Sequence, residues 1–209
     1  MNKNLTELVI IVDRSGSMQS IKDDAEGGIN QLIEAQKKDE GECHFTLAQF
    51  DTQHDLVNDG TDIQKVEPFT LVPRGGTALY DAIGRTLNAV GERLSKTPEE
   101  QRPGLVSVVI VTDGYENSSG EFDQVTVKKM IEEQTNKYKW EFSYLGADQD
   151  AFAVGRGIGV ANSVTYGKSK SSEVFRGVSG RHTRMKNMVS SDQAVVASYT
   201  SAELKAMNE

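Results

Sequence analysis

Leu8-Val9-Ile10-Ile11-Val12-Asp13-Arg14-Ser15-Gly16-Ser17-Met18 is the stretch from which the fold is read. Five apolar residues in a row, with Ile and Val in the middle, describe a strand buried on both faces, as in a parallel sheet. The run stops at a carboxylate, Asp13, and two hydroxyls follow, Ser15 and Ser17, across a glycine. Beyond Gln19 the pattern turns helical. A strand, a short turn and a helix place that turn at the carboxyl end of a sheet, where open α/β folds bind ligands. Asp and Ser oxygens are hard donors, suited to Mg²⁺, Mn²⁺ or Ca²⁺ and unsuited to zinc. The stretch reads as half of a metal site.

Working outward, Met18 to about Lys38 carries apolar residues at spacings of three and four, the mark of a helix with one buried face. Gly27-Gly28 in its middle costs about 1 kcal/mol per glycine against alanine, which close packing on the sheet or a kink would explain. Cys43–Val57 reads as an antiparallel hairpin at the sheet edge, broken by Asp51-Thr52-Gln53. Asn58-Asp59-Gly60 reads as a turn and Glu67–Leu71 as a short extended piece. Pro73-Arg74-Gly75-Gly76-Thr77 is a tight loop, and Thr77 opens a helix with apolar face Leu79, Ile83, Leu87, Val90 and Leu94. Leu105–Val111 is a second buried strand, and it too ends at a hydroxyl and a carboxylate, Thr112-Asp113-Gly114.

The loop Tyr115–Gly120 leads to a helix capped by Asp123 or Thr126. Strands follow at Trp140–Gly146 and Asn162–Tyr166, with a short helix between them, and a long helix spans Ser171 to Ser190. Lys168, Lys170, Arg176, Arg181, Arg184 and Lys186 give that last helix a basic tinge, read as a solvated helix covering the sheet or else as a partner surface. The order predicts an α/β fold: a doubly wound, mostly parallel central sheet with one antiparallel edge strand and helices on both faces. Residues 1–190 form one domain in this reading, and 191–209 a C-terminal tail of open order.

The bulk properties narrow the partners. A formal net charge of −8, spread along the chain, opposes nucleic acid or an anionic membrane as the default partner. No stretch approaches the roughly 18 apolar residues of a membrane span. The first seven residues lack the apolar core of a signal peptide and enter the first strand directly, so a cytoplasmic location is expected. The single cysteine, Cys43, sits in a strand pattern and reads as a strand residue rather than a nucleophile. His44 and His54 lack ligand-spaced partners and read as structural or surface residues.

Asp13 and Asp113 both terminate buried strands, and Thr77 follows a glycine loop, so a doubly wound sheet brings all three together with Ser15 and Ser17. Two carboxylates and three hydroxyls suit a hexacoordinate hard cation, at about 2.0–2.1 Å for Mg²⁺. Neutral hydroxyls leave such a cation electron-poor, and an outside carboxylate binds well in the remaining position. Any one of these residues alone reads more readily as a helix cap or a turn residue. Jointly they do not, because three separate segments would have to mimic one site.

Asp13-Arg14-Ser15-Gly16-Ser17 with Gly76-Thr77 and Thr112-Asp113-Gly114 resembles the metal-ion-dependent adhesion site of the von Willebrand factor type A domain family, over roughly Leu5 to Tyr166. The resemblance implies a Rossmann-like fold and a Mg²⁺ or Mn²⁺ held by Asp13, Ser15, Ser17, Thr77 and Asp113, with the two aspartates acting directly or through water. It implies a protein partner that donates an Asp or Glu to the metal. By the same resemblance, stand-alone intracellular members act as adaptors, often beside an AAA+ ATPase or a stress-response complex, in a microbial or phage-like setting. An assembly subunit that keeps the fold without using its metal is the alternative.

A phosphohydrolase with Asp13 as nucleophile fits poorly. It would want an acid two residues on and a phosphate-binding lysine, but position 15 is Ser and no lysine opens the loops at Gly76 or Gly114. The chain is therefore read as a binding module and not an enzyme. Around the site, Arg14 reads as a rim residue or a solvated arginine. Arg74, Tyr115, Glu116 and Asn117 lie on loops that set specificity in many scaffolds, though Glu116 can equally bond backbone groups. Asp81 reads either as a residue orienting a hydroxyl or water at the metal, or as an ordinary acid favoured by the helix dipole.

Overall fold

The computed structural model describes residues 1–167 and 170–208. Its centre is a six-stranded sheet in the order β3-β2-β1-β4-β5-β6. The strands are β1 (Asn2–Asp13), β2 (Glu42–Phe50), β3 (His54–Asp62), β4 (Pro103–Thr112), β5 (Glu141–Ala147) and β6 (Asn162–Tyr166). All neighbouring pairs are parallel except β2 and β3, which form the antiparallel edge. The helices are α1 (Lys22–Lys38), α2 (Leu79–Lys96), α3 (Gln124–Tyr138), α4 (Ala151–Gly157), α5 (Ser171–Ser190) and α6 (Ser201–Asn208). The doubly wound architecture expected from the sequence is the one observed.

The unbroken apolar run of β1 has a simple cause. Successive side chains of a strand point to opposite faces. Leu8, Ile10 and Val12 pack in one layer with Met18, Ile29 and Phe175, from the α1 and α5 side. Val9 and Ile11 pack in the other layer with Leu79, Ile83, Leu87 and Val127, from the α2 and α3 side. Both faces are covered from Leu8 to Val12, and all five of those positions are apolar.

Four local expectations are corrected. Residues 58–60 are not a turn. They lie within β3, where the register against β2 slips between Leu47 and Ala48 and again between Phe45 and Leu47, so the strand absorbs the polar residues as bulges. Residues 67–71 form no strand: Phe69 and Leu71 are buried, but their backbone groups bond to the Asn30 and Glu26 side chains of α1. The helix expected from Met18 begins with a tight 3₁₀ stretch, Gly16–Ile21, and becomes α-helical at Lys22. The last helix is only in part a solvated basic face: Arg176 is exposed, but Arg181 and Lys186 are buried beside Glu141 and Asp39. Lys168 lies outside the described residues.

Of the glycine pair, Gly28 answers to close packing, though against a helix and not the sheet. A Cβ there would lie 2.1 Å from the Phe175 ring of α5, whereas one at Gly27 would meet nothing within 4 Å. The segment after 191 carries α6, and its Tyr199 and Met207 are buried in the α1–α5 layer.

Candidate metal centre

Strands β1 and β4 are neighbours, yet the chain leaves β1 for β2 and β3 on one side and continues from β4 to β5 and β6 on the other. Their carboxyl ends therefore flank the switch point of the sheet, the crevice where open α/β folds bind ligands. Asp13 is the last residue of β1, and Asp113 directly follows Thr112, the last residue of β4.

Asp13 is fully buried. Its Oδ1 accepts the Ser15 N–H at 2.6 Å, and its Oδ2 accepts the Thr112 hydroxyl at 2.6 Å. Burial pushes the Asp13 carboxyl up to about 6, against the pull of those two donors, and the Asp113 charge adds to the rise. The Ser15 and Ser17 hydroxyls stand 3.0 Å apart, and the Ser17 hydroxyl donates to Asp113 Oδ1 at 2.6 Å. Ser15 sits at the cap position of the 3₁₀ stretch without a side-chain cap bond, and α2 starts after Ala78, so Thr77 is not its cap. The hydroxyls that a purely structural reading would assign to capping are turned to one another and to Asp113 instead.

Thr77 joins them from the far side. A Cβ placed on Gly114 would lie 3.0 Å from Thr77 Oγ1, 3.4 Å from Ser17 Oγ and 3.6 Å from Asp13 Oδ2, with no other atom outside its chain neighbours closer than these. Three oxygens from two segments thus converge within 3.6 Å of the position that a side chain at residue 114 would occupy. Thr77 is held there by its loop: its N–H donates to Asn117 Oδ1 at 2.9 Å, and its carbonyl accepts Asn117 N–H at 3.0 Å and Ser118 N–H at 3.2 Å.

The structure thus gathers Asp13, Ser15, Ser17, Thr77 and Asp113 at one place. The donors are oxygens only. The burial that lifts the Asp13 carboxyl acts on a group with no cationic side chain bonded to it among the described residues. Both features fit a hard divalent cation.

The surrounding residues take structural roles, as the sequence allowed for Glu116 but not for Arg14. Arg14 is neither a rim residue nor a solvated one: it is buried, with Nε 2.8 Å from Asp51 Oδ2 and Nη2 2.6 Å from Asp55 Oδ2. Glu116 bonds backbone, accepting Tyr80, Ser118 and Ser119 N–H groups at 2.7–3.0 Å. Asp81 accepts the N–H groups of Gly120, Glu121 and Phe122 at 2.8–3.0 Å, so it clamps the loop after β4 and orients no hydroxyl of the site. Tyr115 stands exposed at the rim.

Two residues were not singled out from the sequence. Thr112 was visible as the hydroxyl before Asp113, but its direction toward Asp13 follows only from strand adjacency. Asp51 read as a polar turn residue, and nothing local marks it. Burial opposes its charge, yet Arg74, the Gln53 N–H and Arg14 hold its carboxyl below the usual range.

No protein-family sequence description matches the chain, and no curated protein matches it. Solved structures do. A von Willebrand factor type A protein from Catenulispora acidiphila superposes with a TM-score of 0.59 at 14% identity, over 86% of this chain. This chain spans only 43% of that protein's length. The vWF domain of the type V pili tip protein Mfa5 from Porphyromonas gingivalis gives 0.57 at 12% identity, over 84% of this chain and 94% of the other. The conserved hypothetical protein BatB from Bacteroides thetaiotaomicron gives 0.57 at 16%, over 90% of this chain and 100% of the other. At such identities the likeness establishes the fold, and that fold is the von Willebrand A type. No helix among the described residues is long and apolar enough to cross a membrane.

Proposed function

We propose that this chain is a metal-dependent protein-binding module. In this reading Asp13, Ser15, Ser17, Thr77 and Asp113 hold Mg²⁺, with Mn²⁺ or Ca²⁺ as substitutes, and a partner protein presents an Asp or Glu. The observation that carries it is the convergence of Thr77 Oγ1, Ser17 Oγ and Asp13 Oδ2 within 3.6 Å of one point beside Gly114, at the switch point of the sheet. A bound cation supplies an electrophilic position that an outside carboxylate can fill.

The chain's own residues prepare that encounter. Ser15 N–H and Thr112 Oγ–H orient the Asp13 carboxylate. Gly114 leaves the approach clear, and the Asn117 and Glu116 bonds keep the loop carrying Thr77 in place. The partner is a protein in an assembly, such as one built on an AAA+ ATPase or a stress-response complex, and the setting is cytoplasmic; the chain has no catalytic role.

A second reading rests on a specific contact. The Ser17 hydroxyl satisfies Asp113 at 2.6 Å and the two serine hydroxyls pair at 3.0 Å, so these groups find partners without a cation. An assembly subunit that does not use its metal would look like this. Calorimetric titration of Mg²⁺ and Mn²⁺ into chelator-treated protein, beside Asp13→Ala, separates the two. Saturable binding that the variant loses, with partner capture that a chelator abolishes, supports the module. A folded protein that binds neither ion, or partner capture indifferent to chelator, leaves the assembly subunit.

A further inference from the structure

We infer that Asp51 is a positioning residue for this centre, docking the loop that carries Thr77 onto the loop that carries Ser15 and Ser17. The inference rests on the metal-binding reading above and assigns Asp51 a role in it. Asp51 lies just past β2 and is 2% exposed. One of its oxygens, Oδ2, accepts Nε of Arg14 at 2.8 Å and Nε of Arg74 at 2.7 Å. Arg14 belongs to the first loop and Arg74 to the second, so a single carboxylate oxygen bridges the two.

The main chain repeats the link. The Arg74 N–H donates to the Arg14 carbonyl at 2.7 Å, Gly16 N–H to the Gly75 carbonyl at 3.1 Å, and Ala78 N–H to the Asp51 carbonyl at 3.0 Å. Gly75 adopts φ +67°, where L side chains are strained, and a Cβ there would lie 3.3 Å from that of Asp51. The two loops and the Asp51 turn are packed backbone to backbone, and Thr77 lies between the bonded residues Gly75 and Ala78.

Charge explains why position 51 needs a carboxylate. Arg14 is flanked in sequence by Asp13 and Ser15, and its guanidinium is buried. A buried guanidinium short of a charged partner is costly, and Arg14 Nε meets Asp51 Oδ2 at 2.8 Å. Asp51 and Asp55, the latter 2.6 Å from Nη2, together hold it. An asparagine cannot replace this function: its oxygen can meet the guanidinium groups, but its amide then faces the Gln53 N–H, which Asp51 Oδ1 now accepts at 2.7 Å.

The test uses Asp51→Asn and two measurements. The first is amide hydrogen exchange of the chelated protein. Faster exchange at Gly16, Arg74 and Ala78, with the strand amides of β1 and β4 unchanged, is expected, and exchange at those three amides unchanged from wild type would overturn the inference. The second is Mn²⁺ affinity, expected to fall about tenfold or more. In the double variant with Thr77→Ala the loss should be no larger than for Thr77→Ala alone, because Asp51 acts through Thr77. Losses that multiply would mean a general structural role and would overturn it too. Should Asp51→Asn fail to fold, Arg74→Ala breaks one arm of the bridge and is read the same way. Wild-type protein that binds no Mn²⁺ would refute the metal reading and with it this role of Asp51, whatever the exchange shows.

Discussion

The Thr112 hydroxyl donates to Asp13 Oδ2 at 2.6 Å, tying the end of β4 to the end of β1 across 99 residues of sequence. This bond is one of three that favour the charged form of a buried carboxylate. Thr112→Val keeps the shape and removes the donor. A net loss of about 2 kcal/mol in stability at neutral pH is expected from a hydrogen bond to a buried charge, with a Mn²⁺ affinity lower by about tenfold. Chemical denaturation and calorimetric titration check the two effects. An unchanged affinity would place Thr112 in the fold only.

Asp13 imposes a cost on the metal-free protein. Its folded-state value, about 6, lies above its ordinary 3.8, so the folded state holds the proton more tightly than the unfolded chain. The stabilising contribution is full below about 4 and is lost as pH rises through about 6, a difference of order 2–3 kcal/mol. Asp13→Asn removes this titration, so the fall in melting temperature that Asp13 contributes in chelator between pH 4 and 7.5 is expected to be absent from the variant. Added Mg²⁺ should raise the wild-type melting temperature and leave the variant's unchanged.

His182 works in the opposite direction. It is buried, and burial together with Lys186 and Arg181 lowers it to about 3, with only Asp39 opposing. Its ring nitrogen lies 3.4 Å from the Thr6 hydroxyl. A folded-state value below the ordinary 6.5 means stability present at neutral pH and lost on acidification, about 1 kcal/mol per pH unit below 6.5. Between pH 4 and 6 the two residues nearly cancel in the metal-free wild type. His182→Gln should then gain stability on acidification and Asp13→Asn should lose it, which melting curves in chelator across that range will show. Parallel slopes for the two variants would contradict the assignment.

The glycine pair of α1 offers a control independent of the metal. Gly27→Ala meets open space and is expected to stabilise the helix by about 0.5–1 kcal/mol. Gly28→Ala drives a methyl to within 2.1 Å of the Phe175 ring and is expected to cost about 1–3 kcal/mol, with α5 displaced. Equal effects at the two positions would mean that α5 does not seat on Gly28.

Much of the site was legible because its residues are strand ends. A both-faces-buried strand must be apolar until it emerges, so the first polar residues after Val12 and Val111 mark the carboxyl edge, and Asp13, Ser15, Ser17 and Asp113 follow from that rule. Thr77 was legible through its glycine loop. The sheet edge was harder to read. Asn58, Asp59 and Gly60 carry turn composition, yet they continue β3 through bulges that only pairing with β2 reveals.

The sequence by itself determined the alternation of strands and helices, the doubly wound class and the oxygen donors, because periodicity and residue type are local properties. Tertiary structure alone decided what each charge faces. Arg14 pairs with Asp51, Asp81 clamps residues 120–122, and Thr112 reaches Asp13. These contacts join segments tens of residues apart. Their partners are chosen by the cost of leaving a charge or a donor unpaired in a desolvated crevice, and no stretch of chain carries that information alone.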